Sequence, residues 1–257
     1  MAMLDFLIPE LEKMDKYPPK LYYKGKSDLL HRPKISIVGT RRPNPYTRAI
    51  TMELAKKLSV AGVTIVSGGA LGVDALAHQG AGVDNTIVVL PTGIEIRYPK
   101  ANEKLIESIE QHGLVLSQFD PDFKAHGWSF VVRNEIVVAL GEVLIVTEAD
   151  LGSGSMRSVE YALAMGKPIY VLPHRIRESA GTHQLLSQGK AIAIEEIDGF
   201  VSMITKSARN AVYDTPFIAY CRTLPTYEEA LVRFPAEIFE GELMGSIEVK
   251  NGRVYVP

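Results

Sequence analysis

From residue 35 onward, short apolar runs alternate with amphipathic segments, and this alternation restricts the possible folds more than any other feature of the chain. "ISIVG" (35–39) is a compact apolar run. "TRAITMELAKKLSVAG" follows, placing Ile50, Leu54, Leu58 and Ala61 on one helical face, with Gly62 as its stop. The runs "VTIVS", "TIVVL", "LVLS", "EVLIV", "PIYVL" and "AIAI" come next, each separated from the following one by a helical stretch. Strands that are apolar at nearly every position need cover on both faces. The pattern therefore predicts an α/β fold, a parallel sheet with helices on both sides, over residues 35–205.

The flanking segments read differently. Residues 1–34 contain "YPPK" and "HRPK" and suggest a helix followed by an extended lead-in. "KSARNAVYD" (206–214) breaks the alternation and reads as a linker. Residues 215–257 suggest three short helices and a hairpin turning at Asn251-Gly252, together similar to a winged helix. Net charge is only −2, so any polyanion site must be local. The single cysteine, Cys221, excludes an internal disulfide framework and a cysteine-rich zinc site. No apolar run approaches the roughly 20 residues of a membrane span. The N-terminus lacks the pattern of a secretory signal, so the expected compartment is the cytoplasm.

In a parallel α/β sheet, ligands gather beyond the carboxyl ends of the strands. Those ends carry Gly39, Thr40, Arg41 and Arg42, then Ser67, Gly68 and Gly69, then Arg97 and Lys100. Further along come the loop Gly152-Ser153-Gly154-Ser155 with Arg157, and then His174, Arg175 and Arg177. Bare amides, hydroxyls and cations on one edge suit phosphate. Each group also has an ordinary reading. Gly68 and Gly69 suit a sharp turn, Ser153 and Ser155 suit a helix cap, and lone arginines are commonly solvated. Asp74 suits a helix start, and His78 a packed helix position. The first strand ends "GTRRPNP", without the glycine pattern of a dinucleotide fold, and no Walker lysine is present. Glu148, Asp150 and Glu160 lie near the "SGS" loop, but their spacing defines no catalytic pair, so neither a catalytic residue nor a metal or other cofactor is assigned.

The blocks "IVGTRRPNPY", "VSGGALGVDALAH", "LPTGIEIRYPKAN", "FVVRNEIVVAL" and "SGSMRSVEYALAMGKPIYVLP" resemble the DprA/Smf family in order and spacing, over roughly residues 17–194. The resemblance implies an extended Rossmann-like fold that binds single-stranded DNA, forms a homodimer and helps load the RecA recombinase during natural transformation. It also implies that Gly39, Thr40, Arg41, Arg42, Ser67, Gly68, Gly69, Lys100, Arg133, Asn134, Ser153, Gly154 and Ser155 surround DNA, with Phe130 as the aromatic beside the pocket; nearby Trp128 is a further stacking candidate by residue type alone. The tail is similar to the family's winged-helix C-terminal domain. The chain departs from the family pattern at Glu135, Arg157-Ser158 and His174. It is also too short ahead of the core to hold the additional helical domain of many members.

The competing reading is a nucleotide phosphoribohydrolase of the lysine decarboxylase-like type. Those enzymes place a glutamate three residues after the threonine of their loop. Here that place holds Ser158, and Glu160 comes two residues later, about 200° around a helix. Binding without chemistry is the expected function. The acidic helices of the tail (Glu228, Glu229, Glu237, Glu240, Glu242) are expected to serve a protein partner rather than DNA.

Overall fold

The computed structural model describes residues 2–213, 216–243 and 245–256. The chain divides into two compact units, Met1–Val201 and Ser202–Pro257, and the division falls inside one helix.

The first unit is built on one sheet. Its strands are β1 (Ala2–Met3), β2 (Tyr22–Gly25), β3 (Lys34–Val38), β4 (Thr64–Ser67), β5 (Thr86–Val89), β6 (Leu114–Ser117), β7 (Leu144–Val146), β8 (Ile169–Val171) and β9 (Ile192–Ala193). They lie in the order β1-β2-β6-β5-β4-β3-β7-β8-β9, and every pair from β6 to β9 is parallel. Apolar sequence at consecutive positions has its cause here. In β5, Ile87 and Val89 enter one buried cluster while Val88 joins Ile106, Ile109 and Val115 in another, so both faces are covered. The helices between strands are α1 (Pro45–Val60), α2 (Val73–Ala81), α3 (Glu103–His112), α4 (Gly127–Leu140), α5 (Gly154–Ala164) and α6 (Ala180–Ser187). The extended Rossmann-like parallel sheet expected from the sequence is thus present.

The details of α1 differ from the expected stripe. Thr47, Thr51, Leu54, Ala55 and Leu58 are buried, whereas Ile50 is half-buried and Ala61 is exposed. The cause is close approach of α2: a side chain at Gly80 would collide with the Met52 backbone and the Ala55 side chain, so the contact selects small groups over isoleucine. Asn44 caps the helix by accepting a bond from the Thr47 amide (2.8 Å).

The lead-in is also different. Instead of a helix, Pro9–Lys13 makes a single 3-10 turn, and Tyr22–Gly25 pairs antiparallel with β6, extending the sheet edge. Ile8, Leu11, Leu29 and Leu30 are buried in the same cluster as the strands. Lys34 is buried at the entry to β3, where it pairs with Glu10 (2.6 Å) and donates to the Leu30 carbonyl (2.6 Å). Helix α7 (Ile197–Tyr213) carries most of the segment read as a linker; residue 214 lies outside the described residues.

The second unit holds α8 (Pro216–Cys221), α9 (Tyr227–Arg233) and α10 (Pro235–Leu243), followed by the hairpin β10 (Glu248–Lys250) and β11 (Arg253–Tyr255). Asn251 and Gly252 both have positive φ, as a tight hairpin requires. Thr226 and Glu229 exchange bonds as a capping box at the start of α9 (3.3 and 2.9 Å). Phe217, Ile218, Cys221, Ile238, Ile247 and Val254 form its own small core. No helix among the described residues is long and apolar enough to cross a membrane.

Candidate functional site

Strand order reverses direction about β3: β4, β5 and β6 lie to one side, β7, β8 and β9 to the other. The loops leaving β3 and β7 therefore part at the carboxyl edge and leave a crevice between them. The Thr40 amide donates to the Glu148 carbonyl (2.8 Å) and the Thr147 amide to the Val38 carbonyl (3.2 Å), fixing the two loops side by side. Above them lies a polar groove of about 480 Å³ lined by Gly39, Thr40 and Arg41 from the β3 loop, Asp74 from α2, Phe130, Val131, Arg133 and Asn134 from α4, and Ser153, Gly154, Ser155, Arg157 and Ser158 from the start of α5.

Nine of the fourteen residues expected at the site line this groove: Gly39, Thr40, Arg41, Phe130, Arg133, Asn134, Ser153, Gly154 and Ser155. The others are placed differently. Gly68 lines a small adjoining apolar pocket of about 50 Å³. Ser67 is fully buried, and its hydroxyl donates to the Ile37 carbonyl (2.6 Å) within the sheet. Gly69 is buried at positive φ beneath the turn. Arg42 and Lys100 are exposed and lie outside both walls.

The floor of the groove is set by Arg133. It is only 4% exposed, and its Nη1 donates to the carbonyls of Gly68 and Val89, the latter at 2.7 Å. Its Nε donates to Asn134 Oδ1 (3.0 Å). A side chain at Gly68 would occupy the space of the guanidinium, so that glycine answers to Arg133. Burial lowers the Arg133 pKa to about 10, with nearby Asp74 opposing the shift and Arg41 adding to it. Asp74 is itself buried. Burial pushes its carboxyl up, while Arg133 and the Ala70 amide (3.3 Å) pull it down. Below them, His78 sits fully buried with Nδ1 2.7 Å from Thr86 Oγ1, and burial followed by the Arg133 charge holds its pKa near 3.

The rim is built otherwise. Arg41 lies over the Phe130 ring, 5.6 Å from its centroid, and the edge of Tyr98 meets the same ring at 5.6 Å. Arg41, Leu71, Pro91, Tyr98 and Phe130 enclose the small apolar pocket, so Arg41 at the rim, like the buried Arg133 at the floor, borders both a polar groove and an apolar one. Arg41, Arg42 and Lys100 form no ion pair among the described residues. Arg97 does: it makes three bonds to the Glu110 carboxylate (2.7–3.2 Å) and meets Glu107 at 3.3 Å, which takes it out of the set of available cations. Arg157 pairs with Glu160 (2.7 Å). His174 and Arg175 line a separate cavity with Tyr46 and Glu178.

Sequence reasoning treated Ser158 only as a departure and left Tyr98 and Val131 unremarked. Ser158 lies one turn beyond Gly154 on α5, an i+4 spacing that places both on one face. The hydroxyls of Ser153 and Ser158 are buried and have no hydrogen-bond partner in the protein, although Ser153 occupies the cap position of α5. Two unmatched hydroxyls beside the free amides of a helix start make an anion-accepting corner. Among the described residues, no group of three or more His, Cys, Asp or Glu side chains is arranged to hold a metal ion.

Comparison with known proteins gives a concordant result. The family model for DNA recombination-mediator protein A matches residues 5–205, which leaves α8 to β11 outside the match. DNA processing protein DprA of Streptococcus pneumoniae is 35% identical over 193 residues, covering 73% of this chain and 68% of that protein. Its Bacillus subtilis counterpart is 32% identical over 205 residues, covering 78% and 68%. Protein Smf of Synechocystis is 35% identical over 189 residues; they cover 70% of this chain but 47% of that protein, so the chain spans about half of it. A solved structure of DNA processing protein A from Helicobacter pylori, concerned with its single-stranded DNA binding mode, is 42% identical with a TM-score of 0.79, covering 80% of this chain and 96% of that one.

Proposed function

The chain belongs to the DNA recombination-mediator protein A family, the DprA/Smf proteins, and from that premise we propose that its groove holds single-stranded DNA without chemistry. The observation that carries this reading is the placement of Arg41. It borders a polar groove with unmatched hydroxyls and an apolar pocket walled by Phe130 and Tyr98. Phosphate and base are the two halves of a nucleotide, and a strand whose bases are unpaired can offer both at once. In a duplex the bases are stacked and paired, so the apolar pocket has nothing to receive.

A binding role is favoured over hydrolysis by the carboxylates. Asp74 is the acid lining the groove, and it is buried beside Arg133 rather than presented to a water. Glu160, the acid nearest the hydrolase position, is engaged by Arg157 and lies outside the groove wall. The remaining steps are proposed with this reading: a homodimer in the cytoplasm that protects incoming DNA during natural transformation and passes it to the RecA recombinase. Two pockets on one strand raise affinity through effective concentration. The second unit is assigned to a protein contact.

The test is a titration with single-stranded oligonucleotide, duplex of equal length and nucleoside monophosphates. Tight binding of the single strand, weaker binding of the duplex and no turnover of the monophosphates are expected. Release of free base from a monophosphate would overturn the assignment in favour of the hydrolase.

A further inference from the structure

Beyond the groove, the same sheet edge carries an aromatic cluster. The loop after β6 brings Phe119 and Phe123 into a stacked pair, with centroids 4.6 Å apart and planes at 15°. Trp128, in the first turn of α4, sits edge-on to both at 5.7 and 5.6 Å. Trp128 is 55% exposed, the most exposed aromatic of the first unit. Its support is fixed. The Gly93 amide donates to the Phe123 carbonyl (2.8 Å), the Glu95 amide to that of Pro121 (3.1 Å), and the Phe119 amide to Ser117 Oγ (3.1 Å). A large apolar ring held half in water on a rigid base presents a preformed face, with little ordering to be lost on contact.

Two features join this face to the groove. Trp128 is three residues before Val131, which lines the groove, so the two are helix-surface neighbours about 4.5 Å apart along the axis. The segment bonded to the aromatic loop at Gly93 and Glu95 continues to Tyr98, which walls the apolar pocket. The Phe130 ring is already covered by Arg41 and met by Tyr98; over Trp128, among the described residues, there is no arginine or lysine, and the parallel His126 ring is offset at 6.4 Å.

We infer that Trp128 is a second stacking platform, which receives a base of the same single strand as it leaves the groove past Val131. The inference rests on the proposed single-strand reading. Exposed Asp122 and Lys124 leave the patch close to neutral, so it contributes through ring stacking and not through phosphate attraction.

Trp128 is the single tryptophan of the chain, so its emission reports this one place. Titrating the full chain with oligo-dT, while following the anisotropy of the labelled oligonucleotide in parallel, should give saturable quenching with the same midpoint. A strand of equal length with abasic sites should bind more weakly and leave the emission nearly unchanged. Trp128→Ala should weaken oligo-dT binding roughly 5- to 100-fold, the size of one lost stack, with an unchanged salt slope, and Trp128→Phe should restore part of it. Oligonucleotide binding with unchanged emission, equal quenching by the abasic strand, or wild-type affinity of Trp128→Ala would each overturn this inference and leave the groove standing. Absence of single-strand binding by the wild-type chain would overturn the groove reading itself. The wild-type emission measurement does not depend on how the variants fold.

Discussion

Arg133 and Arg41 line the same groove, yet the protein uses them in opposite ways. Arg133 is buried and spends its donors on two strand-end carbonyls and a neighbouring amide oxygen. Arg41 is exposed, without an ion pair among the described residues, and lies against an aromatic face. The floor therefore holds its shape by internal satisfaction of polar groups, and the rim keeps polar groups for something outside. A polyanion site on a chain of net charge −2 needs this division, because cations consumed by the fold attract nothing.

The largest test of the comparison is Arg133→Ala. It leaves the buried Asp74 without its nearest positive charge and two carbonyls without donors, and should cost about 3–5 kcal/mol of stability. Urea unfolding midpoints would measure it. A variant that unfolds like the wild type and loses only DNA binding would move Arg133 from floor to rim.

The floor is also expected to show in the acid limb of stability. His78 has a folded pKa near 3, below the usual 6.5. The neutral form is therefore favoured in the fold, and its stabilising contribution is fully present above pH 6.5. As pH falls from 6.5 towards 3, the unfolded chain takes up the proton first, and stability is lost. By pH 4 the loss is on the order of 3 kcal/mol. His78→Leu should flatten this part of the profile, read from unfolding midpoints between pH 7.5 and 4. An unchanged slope would assign the acid sensitivity to another group.

The rim should respond to salt and not to unfolding. Each of Arg41→Ala, Arg42→Ala and Lys100→Ala should reduce the slope of log affinity against log salt by about 0.7 if the side chain holds one phosphate. Arg97→Ala should leave the slope unchanged, because Glu110 and Glu107 already neutralise it. If Arg97 matters as much as Lys100, the ion pairs do not decide which cations are available.

The same contrast explains what was legible in the sequence. The alternating apolar runs identified the parallel strands because covering both faces leaves almost no freedom in residue type. Gly39, Arg41 and the "SGS" loop follow from strand ends, which border the crevice, whereas Phe130, inside α4, entered only through the family resemblance. Commitment was not legible. Nothing in the local sequence of Arg97 shows that Glu110, thirteen residues away, will engage it, and nothing around Arg133 shows Gly68 and Val89 waiting for its donors. The strand Tyr22–Gly25, second from the sheet edge, was missed for a related reason: its partner β6 is far along the chain, and its own residues are only partly buried.

The smallest expected effect concerns the second unit. A recognition helix that enters a groove of DNA needs cations to meet phosphates. Here α10 presents Glu237, Glu240 and Glu242 without a lysine or arginine, and α9 adds Glu228 and Glu229 against Arg233. Arg233 is also drawn over the Tyr220 ring, 4.7 Å from its centroid. Repulsion of a polyanion by such a face extends about 10 Å at 0.1 M salt. A chain ending at Tyr213 keeps α7 whole and the Tyr170–Phe200 ring contact of the first unit intact. Its affinity for single-stranded DNA should stay within about threefold of the full chain, or less than 1 kcal/mol. Side-by-side titrations of the two chains, with single-stranded and duplex probes, measure the difference. A large loss from the shortened chain while it remains folded, or duplex binding by the isolated second unit, would make that unit a second DNA reader and end the contrast between the proposed DNA-binding edge and the proposed partner-facing module.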